Sequence, residues 1–484
     1  MRMHSIGEIQ SALESGELSV PELIQERLKL ARENKLNAFL DVFEERAMDQ
    51  ARKLQVELDR LGRQIPKDRM PLFGIPLGIK DNLALRGARM TCASRMLETY
   101  VAPYTATAVE RLESAGAISI GKLNMDEFAM GSSNENSAFG FVEHPTHPGY
   151  VPGGSSGGSA ASVRSGVCAV ALGSDTGGSI RLPASFCGLV GMKPSYGRVS
   201  RYGLTAFASS LDQIGPLATS VEDAATVIEA MGGVDHRDGT SVDLPIHGLS
   251  QAARTPAELS QVRLGVPKEY FQEGLQPEVR ASIENTLKAL EKRGAKLVPM
   301  TLPLTKYSVS TYYVVAVSEA SSNLSRFDGI RFGFRPELQG PELDLGKFYA
   351  RMRSKFGPEV KRRILLGTYT LSSGYYDAYY LRACRVRRRI QSDFQEAFKH
   401  VDAIVAPVSP VTAFQRGDHA TDPLKMYLMD IFTIPVNLAG LPALSVPCGV
   451  DQKGLSIGLQ LIGAQFGEQR LLQVAAAVER EVRV

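Results

Sequence analysis

A chain of 484 residues with 55 Lys and Arg against 52 Asp and Glu, 44% hydrophobic and 22% charged, has the make-up of a folded globular protein with a large core. A net charge of +3 excludes a surface that by itself supplies most of the contacts to a nucleic-acid backbone, and the apolar content excludes extensive disorder. Five cysteines, an odd number without a C-x-x-C pair, exclude a disulfide framework or zinc knuckle and fit a reduced, cytoplasmic protein.

Two S-x-x-E boxes, Ser5 to Glu8 and Ser19 to Glu22, predict two short capped helices at the start. A strand is expected across residues 37–43, and Ala47, Ala51, Leu54 and Leu58 recur at helical spacing. These elements read as a helical outer layer, residues 1–65, of the same domain as residues 66–484. No basic flank precedes an apolar core at the N-terminus, so no secretory leader is expected.

From Leu72 the run LFGIPLGIKDNL is an apolar strand ending on Lys80, and TATAVERLESAG followed by AISIGK reads as helix and strand. The same grammar recurs in residues 151–181, with GGSAASVRSG as helix, VCAVAL as strand, GSDTGGS as a tight loop and SIRLPASFCG as the next helix. VEDAATVIEAMGG is helical, and the polar stretch from His236 to Leu259 is expected to be a surface connection. RLGVP, a helix with Val279, Ile283, Leu287 and Leu290 on one face, and KLVPM form a β-α-β unit. Residues 306–400 are helical, with the arginines of 382–389 on a solvated face. The charge-free residues 431–450 contain three prolines and two glycines, which excludes a membrane span and predicts buried loop and strand. VDAIVAPV, LSIGLQLIG and a closing helix with Leu471, Leu472, Ala475 and Val478 complete an α/β fold with a large mixed sheet covered by helices on both sides.

The chemistry concentrates in PGGSSGG and DTGGS. A P-loop and a dinucleotide-binding glycine pattern are both missing. A Ser-His-Asp triad needs a histidine, and none lies near the second cluster, although pairing from a distance stays open. His144 and His147 read as solvated loop residues, so no metal site is expected. The remaining scheme is a serine nucleophile with a lysine base whose pKa is lowered by burial, and glycine-freed N–H groups as oxyanion donors.

PGGSSGGSAA, GSDTGGSIRLPASFCGLVGMKPSYGRVS and the upstream GIPLGIKDN together resemble the amidase signature family. That resemblance implies Ser179 as nucleophile, Ser155 as a relaying serine in a cis peptide bond, and Lys80 as base. The backbone N–H groups of Thr176, Gly177, Gly178 and Ser179 would form the oxyanion hole, with Asp175 and Arg181 in support. LNMDEFAMGSSNENSAFG, EVKRRILLGTYTLSSGYYDAYY and DPLKMYLMDIFTIPVNLAG resemble the glutaminase branch of the family, which feeds ammonia to tRNA-dependent amidotransferases. Glutamine carries an α-carboxylate and an α-ammonium, so its site should offer one cation and one anion. Arg363, with Arg362 as the alternative, and Asp430 match those roles, with Tyr313 as an aromatic wall. The branch implies a heterotrimer with two other subunits and an internal ammonia route. It also implies ATP, magnesium and the misacylated tRNA on a partner, and no cofactor in this chain. A free-standing amidase for small amides and a non-catalytic scaffold subunit remain the other readings.

Overall fold

The computed structural model describes residues 5–271, 274–337, 344–419 and 422–482. Both expected capping boxes form: the Ser5 and Ser19 hydroxyls accept the N–H of Glu8 and Glu22, whose carboxylates reach back to the serine N–H groups. They open α1 (Ile6–Ser15) and α2 (Val20–Glu33), followed by β1 (Phe39–Val42), α3 (Glu44–Arg60) and β2 (Pro76–Lys80). Next come α4 (Thr107–Ser114), β3 (Ile118–Leu123), α5 (Gly157–Arg164), β4 (Val170–Asp175), α6 (Arg181–Cys187), β5 (Val190–Lys193) and β6 (Gln213–Ala218). The middle of the chain adds α7 (Val221–Met231), α8 (Leu249–Arg254), β7 (Arg263–Pro267), α9 (Pro277–Lys292), β8 (Lys296–Met300) and α10 (Ser308–Leu324). Then follow α11 (Leu345–Arg353), α12 (Pro358–Thr370), α13 (Arg382–Ala397), β9 (Ala403–Pro407) and α14 (Pro423–Leu428). The last elements are α15 (Ile434–Ala439), β10 (Ala443–Val450), β11 (Ser456–Ile462) and α16 (Glu468–Val482).

The described strands form one 11-stranded sheet in the order β1-β3-β2-β4-β6-β5-β10-β11-β9-β7-β8. It is mixed: β3, β2 and β4 run parallel, as do β9, β7 and β8, and the strands between them pair antiparallel. Successive strand side chains point to opposite faces. On β9, Ala403 and Val405 join an apolar cluster with the N-terminal helices, α7, α9 and α16, whereas Ile404 and Ala406 join one built on α10, α13 and α15. Both faces of the sheet are therefore covered. The N-terminal layer is continuous with the first of these cores, and β1 pairs with β3 at the sheet edge.

This topology positions the site. Because β2, β3 and β4 are parallel neighbours, their carboxyl ends, at Lys80, Leu123 and Asp175, lie along one edge of the sheet. Antiparallel β6 brings Gln213 opposite Asp175, so its preceding residue Asp212 arrives at the same edge. Loops beyond the carboxyl ends of parallel strands are the usual place for ligands in open α/β sheets.

Four local expectations differ from the structure. Residues 431–450 contain helix α15 as well as loop and strand: Pro435 lies in its first turn and left-handed Gly440 ends it, so the same breakers bracket a short helix. The polar connection after α7 contains α8, which buries Leu249, Ala252 and Ala253 against α7 and α16. Their i, i+3, i+4 spacing was hidden among turn-forming residues. Within the basic run, Arg387 turns inward and donates to Leu438 O at 2.9 Å and to Ser210. His144 is buried, not solvated, with Nε2 2.9 Å from Phe186 O, and burial pushes its pKa down to about 4. Among the described residues no helix is long and apolar enough to cross a membrane.

The α2 layer yields a stability test. Ser19→Ala removes one partner of the capping box and should lower the unfolding free energy by about 1 kcal/mol. Leu23→Ala, at a fully buried position, should cost about 3 kcal/mol, both read from urea unfolding midpoints.

Candidate active site

Lys80 closes a strand that is buried along its whole length, so its carbon chain cannot carry the amine out to water. Its Nζ lies 2.7 Å from Ser155 Oγ, 2.8 Å from Ser156 Oγ, 3.0 Å from Ser174 Oγ and 3.3 Å from Ser174 O. Asn82 Nδ2 also donates to Ser174 Oγ at 2.9 Å. No carboxylate reaches ion-pair distance of Lys80 among the described residues, whereas buried Lys122 on the next strand has Asp81 at 3.3 Å. Burial therefore dominates and lowers the Lys80 pKa to about 7, with the more distant Asp126, Asp175 and Asp212 opposing it. A hydroxyl socket can accept from or donate to the amine, so it serves both protonation states.

The Gly154–Ser155 peptide bond is cis. Ser155 is fully buried. Its loop is held from outside: Gly154 N–H donates to Ser132 O at 2.7 Å, and Asp126 N–H donates to Ser155 O at 3.2 Å. The Asp126 carboxylate accepts the N–H of Asn134 at 2.9 Å and of Asn136 at 3.0 Å. A Cβ on Gly154 would stand 2.1 Å from Asp126 Oδ2, so glycine is needed to let this carboxylate approach. Burial raises the Asp126 pKa to about 6 despite the two donated N–H groups.

The loop after β4 presents Thr176 to Ser179. Their four N–H groups have no acceptor among the described residues, while the next one, of Ile180, donates to Asp175 Oδ2 at 3.2 Å. Side chains at the two glycines are excluded: a Cβ on Gly177 would lie 2.8 Å from Tyr312 Oη, and one on Gly178 would lie 2.5 Å from Asp430 Oδ1. Ser179 is 8% exposed and its hydroxyl has no protein partner among the described residues. It is thus the one serine of the expected set whose oxygen faces accessible space. The loop is anchored at both ends. Asp175 makes a two-pronged ion pair with Arg181, at 3.0 and 3.1 Å, both residues being fully buried. Burial works against this carboxylate, yet Arg181, Lys193 and the Asn437 amide hold it below the usual range. Thr176 Oγ1 donates to Asp212 Oδ1 at 2.6 Å, and Thr433 Oγ1 donates to Gly177 O at 2.6 Å.

Beside this loop lie the charges expected of a substrate pocket. Of the adjacent arginines on α12, Arg363 is 4% exposed and turns inward, whereas the Arg362 side chain is 45% exposed. Arg363 Nε donates to Glu359 Oε1 at 2.7 Å, and Glu359 also accepts the Tyr427 hydroxyl at 2.9 Å. The guanidinium sits among Phe207, Tyr313 and Tyr427, whose ring centres are 5.3, 5.6 and 5.5 Å away. Tyr313 stacks on Tyr427 at 4.1 Å. On the other side, Asp430 Oδ2 accepts Ser132 Oγ at 2.5 Å, while Oδ1 is buried without a partner. Burial pushes the Asp430 pKa up to about 7. An unmatched buried carboxylate oxygen beside the Ser179 loop is a ready acceptor for a cationic group.

Sequence reading missed Ser156 and Ser174 in the lysine socket, Tyr312 over Gly177, and Ser132 on Asp430. For Ser156, Ser174 and Tyr312 the signal was adjacency, each standing beside a residue that was named. Ser132 lies within the quoted LNMDEFAMGSSNENSAFG, but its role arises from a contact with Asp430 made only in the folded chain. Among the described residues no group of three or more His, Cys, Asp or Glu is placed to hold a metal ion.

A buried lysine in a hydroxyl socket, a partly accessible serine and unengaged N–H groups thus lie together at the carboxyl ends of the parallel strands. The chain belongs to the Amidase family, whose sequence profile matches residues 22–472. It is 54% identical over 481 residues, 99% of this chain and 98% of the relative, to the glutamyl-tRNA(Gln) amidotransferase subunit designated A in Thermosynechococcus vestitus. It is 52% identical to the protein of the same name from Koribacter versatilis, over 93% of this chain and 92% of the relative. The crystal structure of the Thermotoga maritima protein of that name superposes with a TM-score of 0.80 at 42% identity, covering 99% of this chain and 95% of that one. Peptide amidase from Stenotrophomonas maltophilia superposes equally well, with a TM-score of 0.80 at 29% identity over 99% and 97% of the two chains.

Lys80 and Asp430, both near neutrality, set a pH test. As pH falls through about 7, Lys80 gains a proton and ceases to be a base, and Asp430 gains one and ceases to be an anion. The kcat/KM for a cationic amide should fall with decreasing pH, its logarithm approaching a slope of about two below both pKa values, and of about one in Asp430→Asn.

Proposed function

We propose that this chain is the glutaminase subunit of a tRNA-dependent amidotransferase, releasing ammonia from glutamine through Ser179, Ser155 and Lys80. The observation that carries the substrate assignment is the pairing of the unpartnered Asp430 oxygen beside Gly178 with the inward Arg363, whose guanidinium lies over Tyr313, the ring neighbour of the Tyr312 that packs on Gly177. Free glutamine fits that pair, its α-carboxylate on Arg363 and its α-ammonium on Asp430, with the Tyr313 ring along its side. The names of the relatives support the same reading.

In this mechanism neutral Lys80 takes a proton through Ser155 while Ser179 Oγ attacks the amide carbonyl carbon. The N–H groups of Thr176, Gly177, Gly178 and Ser179 stabilise the resulting oxyanion, each contributing on the order of 3 kcal/mol in a dry site. As the C–N bond breaks, the proton on Lys80 returns through Ser155 to the nitrogen, and ammonia leaves. Water then attacks the acyl-Ser179 ester with Lys80 again as base, which frees glutamate and restores the serine. Overall one glutamine and one water become glutamate and ammonia.

The ammonia is consumed in a heterotrimer with two other subunits, one of which amidates glutamate on tRNA(Gln) to give Gln-tRNA(Gln). Aspartate on tRNA(Asn) is amidated when the partner presents it. ATP, magnesium and most tRNA contacts are assigned to that partner, and an internal route carries the ammonia. A cytoplasmic location belongs to this reading, since charged tRNA is used there. Residues 1–65 are taken as an outer layer of the same domain as 66–484, supported by the pairing of β1 with β3.

Glutamine hydrolysis by the assembled complex tests the assignment. Ser179→Ala and Lys80→Ala should each lower kcat by roughly a thousandfold or more, and Arg363→Ala should act chiefly on glutamine KM. Full activity in Ser179→Ala contradicts the mechanism. A chain that hydrolyses propionamide as efficiently as glutamine is a general amidase instead.

A further inference from the structure

We propose that Glu127 is a positioning residue that locks the helix carrying Arg363 to the segment bracing Ser155, setting substrate capture in register with the catalytic serines. The inference rests on the glutamine reading above.

Glu127 follows Asp126, the residue that accepts the Asn134 and Asn136 N–H groups and donates its own N–H to Ser155 O. Its carboxylate is buried and turns the other way. Oε1 accepts the Ser94 hydroxyl, and Oε2 accepts the N–H of Gly357 at 2.8 Å. Gly357 is the N-cap of α12 and supplies no side-chain cap, in contrast to Ser5 and Ser19 on α1 and α2. The capping acceptor of α12 thus comes from 230 residues earlier in the chain. A carboxylate at a helix N-terminus satisfies a free N–H and opposes the positive end of the helix dipole. The approach is close enough to require glycine: a Cβ on residue 357 would lie 2.3 Å from Glu127 Oε2.

A second contact repeats the link. Phe128 packs edge-on against Phe356, the residue before Gly357, with ring centres 5.7 Å apart, and against Phe327 at 5.0 Å. To deliver both side chains the backbone enters the left-handed region at Phe128, φ 49°, and again at Ala129, φ 62°. Such conformations are disfavoured for residues with a Cβ and persist only where surrounding contacts enforce them. Three consecutive residues therefore face two parts of the site: Asp126 holds the Ser155 loop, and Glu127 and Phe128 hold the start of α12. Arg363 stands under two turns into that helix, its guanidinium enclosed by Phe207, Tyr313 and Tyr427. A small rotation of α12 would move the guanidinium relative to the Ser179 loop and leave the lysine and serines in place.

The test compares glutamine with propionamide, which lacks the α-carboxylate, using the full chain in its native assembly. Glu127→Ala should raise glutamine KM roughly tenfold or more, with kcat and propionamide kcat/KM within about threefold of the parent. Glu127→Gln, whose amide oxygen still accepts the Gly357 N–H, should restore most of the affinity. Gly357→Ala, which displaces the carboxylate from the other side, should reproduce the KM-selective defect and decides the matter should Glu127→Ala not fold. Propionamide hydrolysis falling as far as glutamine hydrolysis means a general structural role and overturns the proposal. An unchanged glutamine KM in Glu127→Ala and Gly357→Ala overturns it as well, provided Arg363→Ala still raises that KM. An unchanged KM in Arg363→Ala sinks the glutamine reading, and this proposal with it.

Discussion

A lysine amine buried without a counter-charge is the constraint around which the rest is arranged. At its ordinary pKa Lys80 is a cation at neutral pH and no base at all. Burial takes away the water that stabilises the cation, and only hydroxyls and a carbonyl replace it. Had the fold placed a carboxylate in contact, as it does for Lys122, the ion pair would have held the proton on the amine. The nearby acids are instead kept one layer back. Asp175 is committed to Arg181, Asp212 to Thr176 and backbone N–H groups, and Asp126 to the loop before Ser155.

Close contacts at the glycines explain how so glycine-rich a site stays rigid. Gly154, Gly177 and Gly178 each admit an atom that a side chain would exclude: a carboxylate oxygen of Asp126, the Tyr312 hydroxyl and a carboxylate oxygen of Asp430. Flexibility of the isolated sequence is thereby converted into close contact in the folded chain. The contacting groups come from the β3 loop, α10 and the segment before α15, so catalytic loop and substrate pocket are parts of one packed arrangement. In the proposed glutamine reading, selectivity for a zwitterionic amide comes from Arg363 and Asp430 being packed into the same arrangement as the Ser179 loop.

Much of this was legible in the chain because the decisive features are local. Capping boxes announce α1 and α2, glycine clusters mark the two serine loops, and an apolar run closing on a lysine marks β2. What escaped depends on partners distant in sequence. Thr176 meets Asp212 only because β6 returns antiparallel beside β4, and β6 itself, QIGPLA, carries a glycine and a proline that disguise it as loop. Arg362 and Arg363 could not be separated without knowing which side of α12 packs on α10. The Ile431–Val450 stretch was read by its breakers, which in the fold delimit α15 instead of preventing it.

The most direct measurement of the central claim is covalent labelling of the nucleophile by a sulfonyl fluoride, which bonds to the reacting oxygen and expels fluoride. Peptide mass spectrometry should locate the adduct on Ser179, with a labelling rate that falls as pH drops through about 7, the value to which burial lowers Lys80. In Lys80→Met that acid limb should vanish along with nearly all labelling. An adduct on Ser155, or a pH profile that survives the loss of Lys80, would contradict the account.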